Sequence, residues 1–356
     1  MKDFEGRRNT LKWLLSLPLA AIACSSSSSP PRATQSSLGK ARLSIIHRQS
    51  TAADPELSII DGSSRIHDTF STKYPIEDDV TWHPSGAEFL YGYAHGTDVD
   101  LRRYSRNTGL DTEFHSAGVT PVRAIEYTHD GLKVLTKINT TTLNPFHRDG
   151  AGEANIFDLD PTTVSIGRYS PDDAQLAVIA EGTVYLVDVA SFNQGFGRNL
   201  RTLSLPGTTQ DISWHPDRSE LLAAISDGSA TNLYRVDPSN GNFQQLTTET
   251  TGEFRLGTTG YVHTRDDQII ARRIDGSNPR ILVSLDGRVG GTYRELTRPG
   301  MDCDQQVLDR KRELLAFRMR DPLHPDTSEV HAGYANGSSI RQVSTGKPIE
   351  YSPKWI

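Results

Sequence analysis

The sequence predicts an all-β fold, a seven-bladed β-propeller closed by a C-terminal strand that completes the N-terminal blade. The first observation is a repeated pattern of an aromatic or branched anchor, a polar turn and a second apolar residue. The second is its period, because the anchors lie 45, 42, 45, 48, 45 and 44 residues apart. The seven anchors are Trp82, Tyr127, Tyr169, Trp214, Val262, Val307 and Tyr351. A repeat of this length is typical of propeller blades.

Each repeat contains the same parts in the same order. The turn after the anchor is rich in Pro, Asp, Gly and Ser, as at 83–86 and 215–218, and these residues favour tight turns. A short apolar strand follows, and then a third strand that often ends in Asp, as at 184–188. A more polar fourth strand, as at 243–247, completes the unit. Four short strands per repeat make one blade.

The two ends of the chain predict how the ring closes. Arg42–His47, Glu56–Asp61 and Arg65–Phe70 have the pattern of three strands that lack an innermost strand. Pro348–Ile356 contains the last anchor and has the pattern of an innermost strand with no second strand after it. Together these four segments make one blade, so we expect the C-terminal strand to close the propeller.

The anchor sequence Trp-His-Pro-Ser-Gly at 82–86, with Asp-ending third strands and Leu-Thr-like fourth strands, resembles the WD40-like repeats of the TolB propeller type. The resemblance covers roughly residues 40 to 356 and implies the propeller fold. For function it implies several classes, since such repeats occur in periplasmic scaffolds, in domains that gate peptidases and in some polysaccharide lyases.

The first 23 residues predict a signal peptide. Arg7 and Arg8 resemble a twin-arginine export motif, and the apolar run that follows, 13–23, is too short to span a bilayer. Small residues precede Cys24, which resembles a bacterial lipobox with Ala21 where Leu is commonest. We therefore expect a lipoprotein whose Cys24 carries the lipid, on the periplasmic face of a bacterial membrane. The alternative is a plain cleavage site with an incidental thiol.

The remaining chain divides into a tether and one large domain. Residues 24–39 are rich in Ser and Pro and cannot bury a core, so we expect them to tether residues 40–356 to the membrane.

The chain has a net charge of −6 with its basic residues interspersed among acids, which gives no reason to expect nucleic acid binding. A structural role is predicted for Cys303, between two acids, and we expect the protein to be a monomer.

A column of carboxylates is predicted near the mouth of the central channel. When the blades are aligned on their anchors, Asp79, Asp211 and Asp304 occupy the position three residues earlier, with Asp78 and Asp302 nearby. This pattern favours a site for a cation or a basic peptide segment. The alternative is a set of solvated loop acids that hydrogen-bond the next blade.

Three histidines are expected in long loops on the same face. The two longest insertions are 139–153 and 318–329, and we expect His95, His147 and His324 each to lie in a loop of this kind. Imidazoles beside carboxylates suit a divalent metal, the one cofactor these residues would favour, although none of them has close ligand spacing. The alternative is that they are exposed loop histidines.

Two function classes remain. The first is a non-enzymatic scaffold in the cell envelope that presents a loop face to a protein or cell-wall partner. The second is a metal-dependent polysaccharide lyase of the oligogalacturonate type, whose close His pair and Gln do not appear here. The sequence also lacks a Gly-x-Ser-x-Gly elbow, so we favour the scaffold over an enzyme.

Overall fold

A computed structural model describes the following residues of the chain: 41–49, 52–76, 80–95, 98–116, 123–137, 142–151, 157–158, 164–190, 200–216, 219–248, 254–256, 260–265, 268–284, 302–309, 314–321, 324–334, 340–343 and 345–356. The chain divides into two units, 1–32 and 33–356, and all described residues lie in the second. The expected signal peptide, with Arg7, Arg8 and Cys24, lies outside the described residues, as does the tether. In the described part of the chain, no helix has the length and apolar character needed to cross a membrane.

The described part of the second unit is built from β-strands. The first seven are β1 (Arg42–Arg48), β2 (Glu56–Asp61), β3 (Ile66–Phe70), β4 (Val80–Trp82), β5 (Glu88–His95), β6 (Asp98–Ser105) and β7 (Asp111–Ser116). Then come β8 (Arg123–Tyr127), β9 (Lys133–Lys137), β10 (Thr142–His147), β11 (Phe157–Asp158), β12 (Val164–Tyr169), β13 (Gln175–Ala180), β14 (Thr183–Asp188) and β15 (Leu200–Leu203). The next eight are β16 (Thr208–Trp214), β17 (Leu221–Ser226), β18 (Thr231–Val236), β19 (Phe243–Gln245), β20 (Phe254–Leu256), β21 (Gly260–Arg265), β22 (Gln268–Arg273) and β23 (Arg280–Ser284). The last five are β24 (Asp302–Asp309), β25 (Leu314–Asp321), β26 (His324–Tyr334), β27 (Arg341–Val343) and β28 (Ile349–Trp355).

These strands form antiparallel blades, which confirms the predicted all-β propeller. Five sheets have four strands each, and we number them as blades 2 to 6: β4–β7, β8–β11, β12–β15, β16–β19 and β20–β23. One eight-stranded sheet contains the strands of blade 7 (β24–β27) and blade 1 (β28, β1, β2, β3). Its two halves are joined by a single parallel pair, Ser328 with Ile349. The described strands are therefore consistent with the seven predicted blades.

The ring closes as the chain ends predict. β28 pairs with β1 in antiparallel fashion, with Leu43 opposite Trp355 and His47 opposite Glu350. The Ile356 N–H donates to the Arg42 carbonyl at 3.0 Å, which extends this pairing to the last residue. The C-terminal strand is thus the innermost strand of the N-terminal blade.

The core is divided among the interfaces between blades. In the described part of the chain, buried apolar residues form seven clusters, and each cluster combines side chains from two neighbouring blades. Trp214 of blade 5, for example, packs with Ile179 and Leu186 of blade 4. Leu43 of blade 1 packs with Leu314 of blade 7, so the interface that closes the ring is as apolar as the others. Each blade is stabilised by burying its faces against its neighbours.

The expected anchor of blade 6 is wrong by one strand. Val262 lies in β21, the second strand, and pairs with Ala271, whereas the innermost strand of this blade is β20. The polar segment after Val262 has the residue types of an anchor turn. Arg265 at the end of β21 pairs with Gln268 at the start of β22, so this segment leads from the second strand of the blade to the third.

Two other anchors lie on the expected strands but in a different register. Val307 belongs to the innermost strand β24, yet it pairs with Ala316 because β24 has a register shift before Val307. Tyr351 belongs to β28, but Trp355 is the aromatic residue that pairs with Leu43 at the end of this strand.

Candidate functional site

The structure separates the three histidines proposed as metal ligands. We call the end of the unit where second strands turn into third strands the loop face, and the opposite end the turn face. β5 ends at His95 and β26 begins at His324, so both border the loop face, in blades 2 and 7. His147 ends β10 and pairs with Lys133, which places it on the turn face. The expectation of one shared face is therefore wrong for His147.

His147 lies on the turn face because the segments that were expected to be loop insertions contain strands. The segment 139–153 includes β10, whose Leu143 and Phe146 are buried, so the chain has crossed the blade before it reaches His147. The segment 318–329 belongs largely to the long β25–β26 hairpin. Among the residues whose positions are described, no group of three or more His, Cys, Asp or Glu side chains could hold a metal ion.

Of the predicted channel carboxylates, only Asp211 has a described side chain. It lies in the innermost strand β16 beside a register shift, and its Oδ2 is 3.7 Å from Nη1 of Arg255 on β20. Burial raises the pKa of Asp211, while the guanidiniums of Arg168 and Arg255 act in the opposite direction. Asp78 and Asp79 lie outside the described residues, as do the side chains of Asp302 and Asp304 on β24.

Four neighbouring innermost strands, those of blades 3 to 6, carry charged residues of alternating sign. Glu126 on β8, Arg168 on β12, Asp211 on β16 and Arg255 on β20 follow one another around the ring. The Glu126 carboxylate accepts the Tyr169 N–H at 3.2 Å, which ties blade 3 to blade 4. This arrangement agrees with the alternative that acids on these strands hydrogen-bond the next blade. An acidic column for a cation remains a prediction for the side chains that are not described.

An open cleft of about 660 Å³ lies on the turn face between blades 2 and 3. Blade 2 contributes the start of β5, the end of β6 and the turn before β7. Blade 3 contributes the turn that precedes β9 and the turn that follows β10. We call it the blade 2–3 cleft and define it by Glu88, Arg103, Leu110, Leu132, Lys133 and Arg148; His147 and Asp149 also line it. Its volume falls within the range of ligand pockets, roughly 300–1,000 Å³.

An Arg–Glu pair joins the two walls of this cleft. Arg148 Nε and Nη2 donate to the two carboxylate oxygens of Glu88 at 2.9 and 3.0 Å, a bidentate geometry that fixes both side chains. Glu88 is nearly buried, with 8% of its side chain exposed, whereas 47% of Arg148 is exposed. Arg103 Nη1 donates to the Arg148 carbonyl at 2.7 Å. Both arginines are therefore held in place at the cleft surface.

A histidine of blade 2 holds the turn of blade 3. His83 Nδ1 accepts the Ser85 N–H at 3.1 Å, so the proton lies on Nε2, which donates to the Gly131 carbonyl at 3.1 Å. Burial is the largest cause that lowers the pKa of His83, and the Arg148 guanidinium adds to it, which favours this neutral form. The His83 contact fixes the turn that precedes Leu132.

Two leucines stand exposed on opposite walls of the cleft. Leu110 and Leu132 each expose 60% of their surface, and each follows a glycine with positive φ. The Leu110 carbonyl accepts the Ser105 N–H at 2.9 Å, and the Leu132 carbonyl accepts the Arg148 N–H at 2.9 Å. These backbone bonds fix the main chain at both leucines. Exposed apolar residues beside cations that are held in place are typical of a binding surface.

We expect Gly131→Ala to destabilise the protein more than Gly228→Ala. Both glycines have positive φ, which costs an alanine about 1 kcal/mol. A Cβ on Gly131 would lie 2.2 Å from His83 Nε2, whereas a Cβ on Gly228 would meet nothing within 4 Å. The difference in unfolding free energy should exceed about 1 kcal/mol, since the His83 hydrogen bond is also lost. Equal midpoints in thermal unfolding would contradict the assigned contact.

A second cavity, of about 380 Å³, lies closer to the axis on the same face. It is lined by the ends of the innermost strands of blades 1, 2 and 3, including Trp82, Glu126, Lys354 and Trp355. Trp82 Nε1 donates to Ser44 Oγ of β1 at 2.9 Å, and the Ser44 hydroxyl donates to the Lys354 carbonyl of β28 at 3.3 Å. Ser44 therefore links blade 2 to the closing strand. Both cavities thus lie on the turn face, opposite the face on which a site was expected.

The second unit is similar to solved β-propellers. TolB from Acinetobacter baumannii matches with a TM-score of 0.50 at 13% identity, over 89% of this chain and 67% of that one. The propeller domain of the Trilobed protease from Pyrococcus furiosus, which has an open velcro topology, matches with a TM-score of 0.59 at 8% identity, over 85% and 94%. A putative TolB from Agrobacterium tumefaciens matches with a TM-score of 0.51 at 13% identity, over 74% and 99%.

At these identities the likeness shows a TolB-like propeller fold. By sequence, no protein-family model and no curated protein matches this chain. The function must therefore be argued from the chain's own surface.

Proposed function

We propose that this chain is an exported, lipid-anchored β-propeller that acts as a non-enzymatic, protein-binding scaffold in the cell envelope. The observation that carries the binding role is the blade 2–3 cleft. Its walls are joined by the Arg148–Glu88 pair and the His83–Gly131 contact, and it presents two exposed leucines, Leu110 and Leu132. A rigid surface of this kind loses little conformational entropy on binding. The proposal requires no cofactor.

The N-terminal sequence supports export and anchoring. Arg7 and Arg8 precede an apolar run, and Cys24 follows small residues, in the order of a twin-arginine lipoprotein signal. The acyl chains of a lipid attached at Cys24 would bury many methylene groups at about 0.8 kcal/mol each, enough for stable attachment to a membrane. Residues 25–39 would then hold the propeller at a distance from the bilayer.

We expect Cys24→Ser to abolish lipid labelling of the chain and to release it from the membrane fraction. The matched control is Cys303→Ser, which removes the other cysteine and should leave labelling unchanged. Replacing Arg7 and Arg8 with lysines should keep the chain in the cytoplasm, because the twin arginines are the export determinant in this proposal. Labelling with a radioactive fatty acid, followed by fractionation, measures both effects. A fully labelled Cys24→Ser chain would contradict the anchor.

The binding role is tested with the full chain cross-linked in its own cells and purified under denaturing conditions. We expect one protein partner in stoichiometric amount, and the same partner after divalent metals are chelated. Metal-dependent cleavage of polygalacturonate by the purified chain would contradict the scaffold and favour the lyase alternative.

A further inference from the structure

We infer that the blade 2–3 cleft binds an extended acidic segment of a partner protein, with an apolar side chain of the segment packed between Leu110 and Leu132. This inference rests on the proposed scaffold function and names the chemistry that the partner presents. It also places the binding surface on the turn face, away from the predicted channel mouth.

The charge of the cleft differs in sign from the charge of the chain. Three cationic side chains, Arg103, Lys133 and Arg148, line it with two carboxylates, and His147 is exposed beside them. Arg148 and Glu88 pair with each other, so their charges offset. Arg103 and Lys133 then face one carboxylate, Asp149, whose Oδ1 accepts the Ala151 N–H at 3.0 Å, which leaves the cleft with a small positive charge. The chain as a whole has a net charge of −6. An acidic ligand would therefore be attracted to this cleft on an otherwise acidic protein.

The leucines determine the apolar part of the ligand. Leu110 belongs to blade 2 and Leu132 to blade 3, so an apolar side chain that enters between them contacts both blades. Burying a leucine-sized group there removes apolar surface from water, which favours binding. Because backbone hydrogen bonds fix the main chain at both leucines, little of the backbone has to be ordered on binding.

Two other occupants fit less well. The chain's own Ser-rich segment, 25–40, contains no acid, and its charged residues are Arg32 and Lys40, which have the wrong sign. An acidic polysaccharide would pair with the arginines but offers no side chain to cover two leucines that are each 60% exposed. A peptide with both acidic and apolar side chains matches both features of the cleft.

The test is fluorescence anisotropy of the full chain with three labelled peptides of equal length. Aspartate alternates with leucine in the first, aspartate with serine in the second and lysine with leucine in the third. We expect saturable binding of the first peptide, weaker binding of the other two, and loss of affinity as salt screens the cations. The double variant Leu110→Asp, Leu132→Asp should lower the affinity by about tenfold or more, equivalent to about 1.4 kcal/mol per tenfold change.

The matched control is Ile66→Asp with Phe243→Asp, which changes two other exposed apolar residues, at 47% and 46% exposure, outside the cleft. This control should bind the first peptide as the unchanged chain does.

Three results would overturn the inference. They are an equal loss of affinity in both double variants, equal binding of the lysine peptide, and displacement of the labelled first peptide by polygalacturonate but not by the same peptide without label. If the cross-linked partner persists with the cleft variant, the scaffold stands and the cleft assignment fails. If no partner is found but the peptide pattern holds, the cleft assignment stands without the scaffold.

Discussion

Removal of Tyr351–Ile356 is expected to destabilise the propeller strongly. This truncation deletes most of β28, the innermost strand of blade 1, and leaves the pairing edge of β1 open. It would expose the closing interface, where Leu43 and Ile45 are at most 1% exposed and Trp355 packs against their cluster. The truncation would also remove the Lys354 carbonyl that accepts the Ser44 hydroxyl. Calorimetry should show a midpoint lowered by more than about 10 °C, since a 150–250-residue domain loses roughly 2–4 °C per kcal/mol.

A control separates loss of closure from loss of any strand. Replacing β19, Phe243–Gln245, by serine and glycine removes an outer strand whose three residues are all exposed, so the midpoint should change little. Adding a peptide of residues 345–356 to the truncated chain should restore part of the transition, because the edge of β1 can pair with it. A truncated chain with the unchanged midpoint, or equal losses in both variants, would show that β28 does not close the ring.

Aromatic anchors with turn-forming residues predicted most of the fold correctly. Trp82, Tyr127, Tyr169 and Trp214 all lie in innermost strands, where a large ring packs between two blades and a tight turn must follow. The pattern failed in blade 6, whose innermost strand is described for Phe254–Leu256. The described part of this strand has only two apolar residues, Phe254 and Leu256, so its sequence pattern is weaker than that of the neighbouring β21–β22 hairpin. Periodicity identifies blades well when the core of each depends on a large anchor.

The candidate site was harder to predict, because its contacts join distant parts of the chain. Glu88 and Arg148 are 60 residues apart, and their pairing depends on the stagger of two blades. One signal was present in the sequence: five positions after the first four anchors stand Ala87, Leu132, Ala174 and Ser219. A leucine at a position that elsewhere holds a small residue indicates an exposed apolar side chain in the turn. Leu132 is therefore the one residue of the blade 2–3 cleft that this signal marks.

We expect Asp111→Ala to destabilise the protein by about 3–5 kcal/mol, the cost of leaving a buried charge unpaired. Asp111 accepts hydrogen bonds from Arg102 Nε at 2.8 Å, Tyr91 Oη at 2.5 Å and the Lys73 backbone N–H at 2.7 Å. Arg102 and Asp111 each expose 8% of their side chains. Without the carboxylate, the Arg102 guanidinium stays buried above the Tyr74 ring, 4.7 Å from its centroid, with less compensation. Thermal and urea unfolding of the full chain measure the loss.

The matched control is Asp68→Ala, which breaks an ion pair that is exposed to solvent. Asp68 Oδ2 lies 3.4 Å from Arg106 Nη2, and 40% of the Asp68 side chain and 33% of the Arg106 side chain are exposed. The loss in unfolding free energy should therefore be below about 1 kcal/mol. Asp111→Asn should fall between the two, because an amide oxygen can still accept from Tyr91 or Arg102 but carries no charge. Burial and the Asp111 hydrogen bond both raise the pKa of Tyr91, so its hydroxyl remains a donor in every variant at neutral pH. Equal losses for Asp68→Ala and Asp111→Ala would show that solvent reaches the Asp111 network, and the order expected from burial would then be wrong.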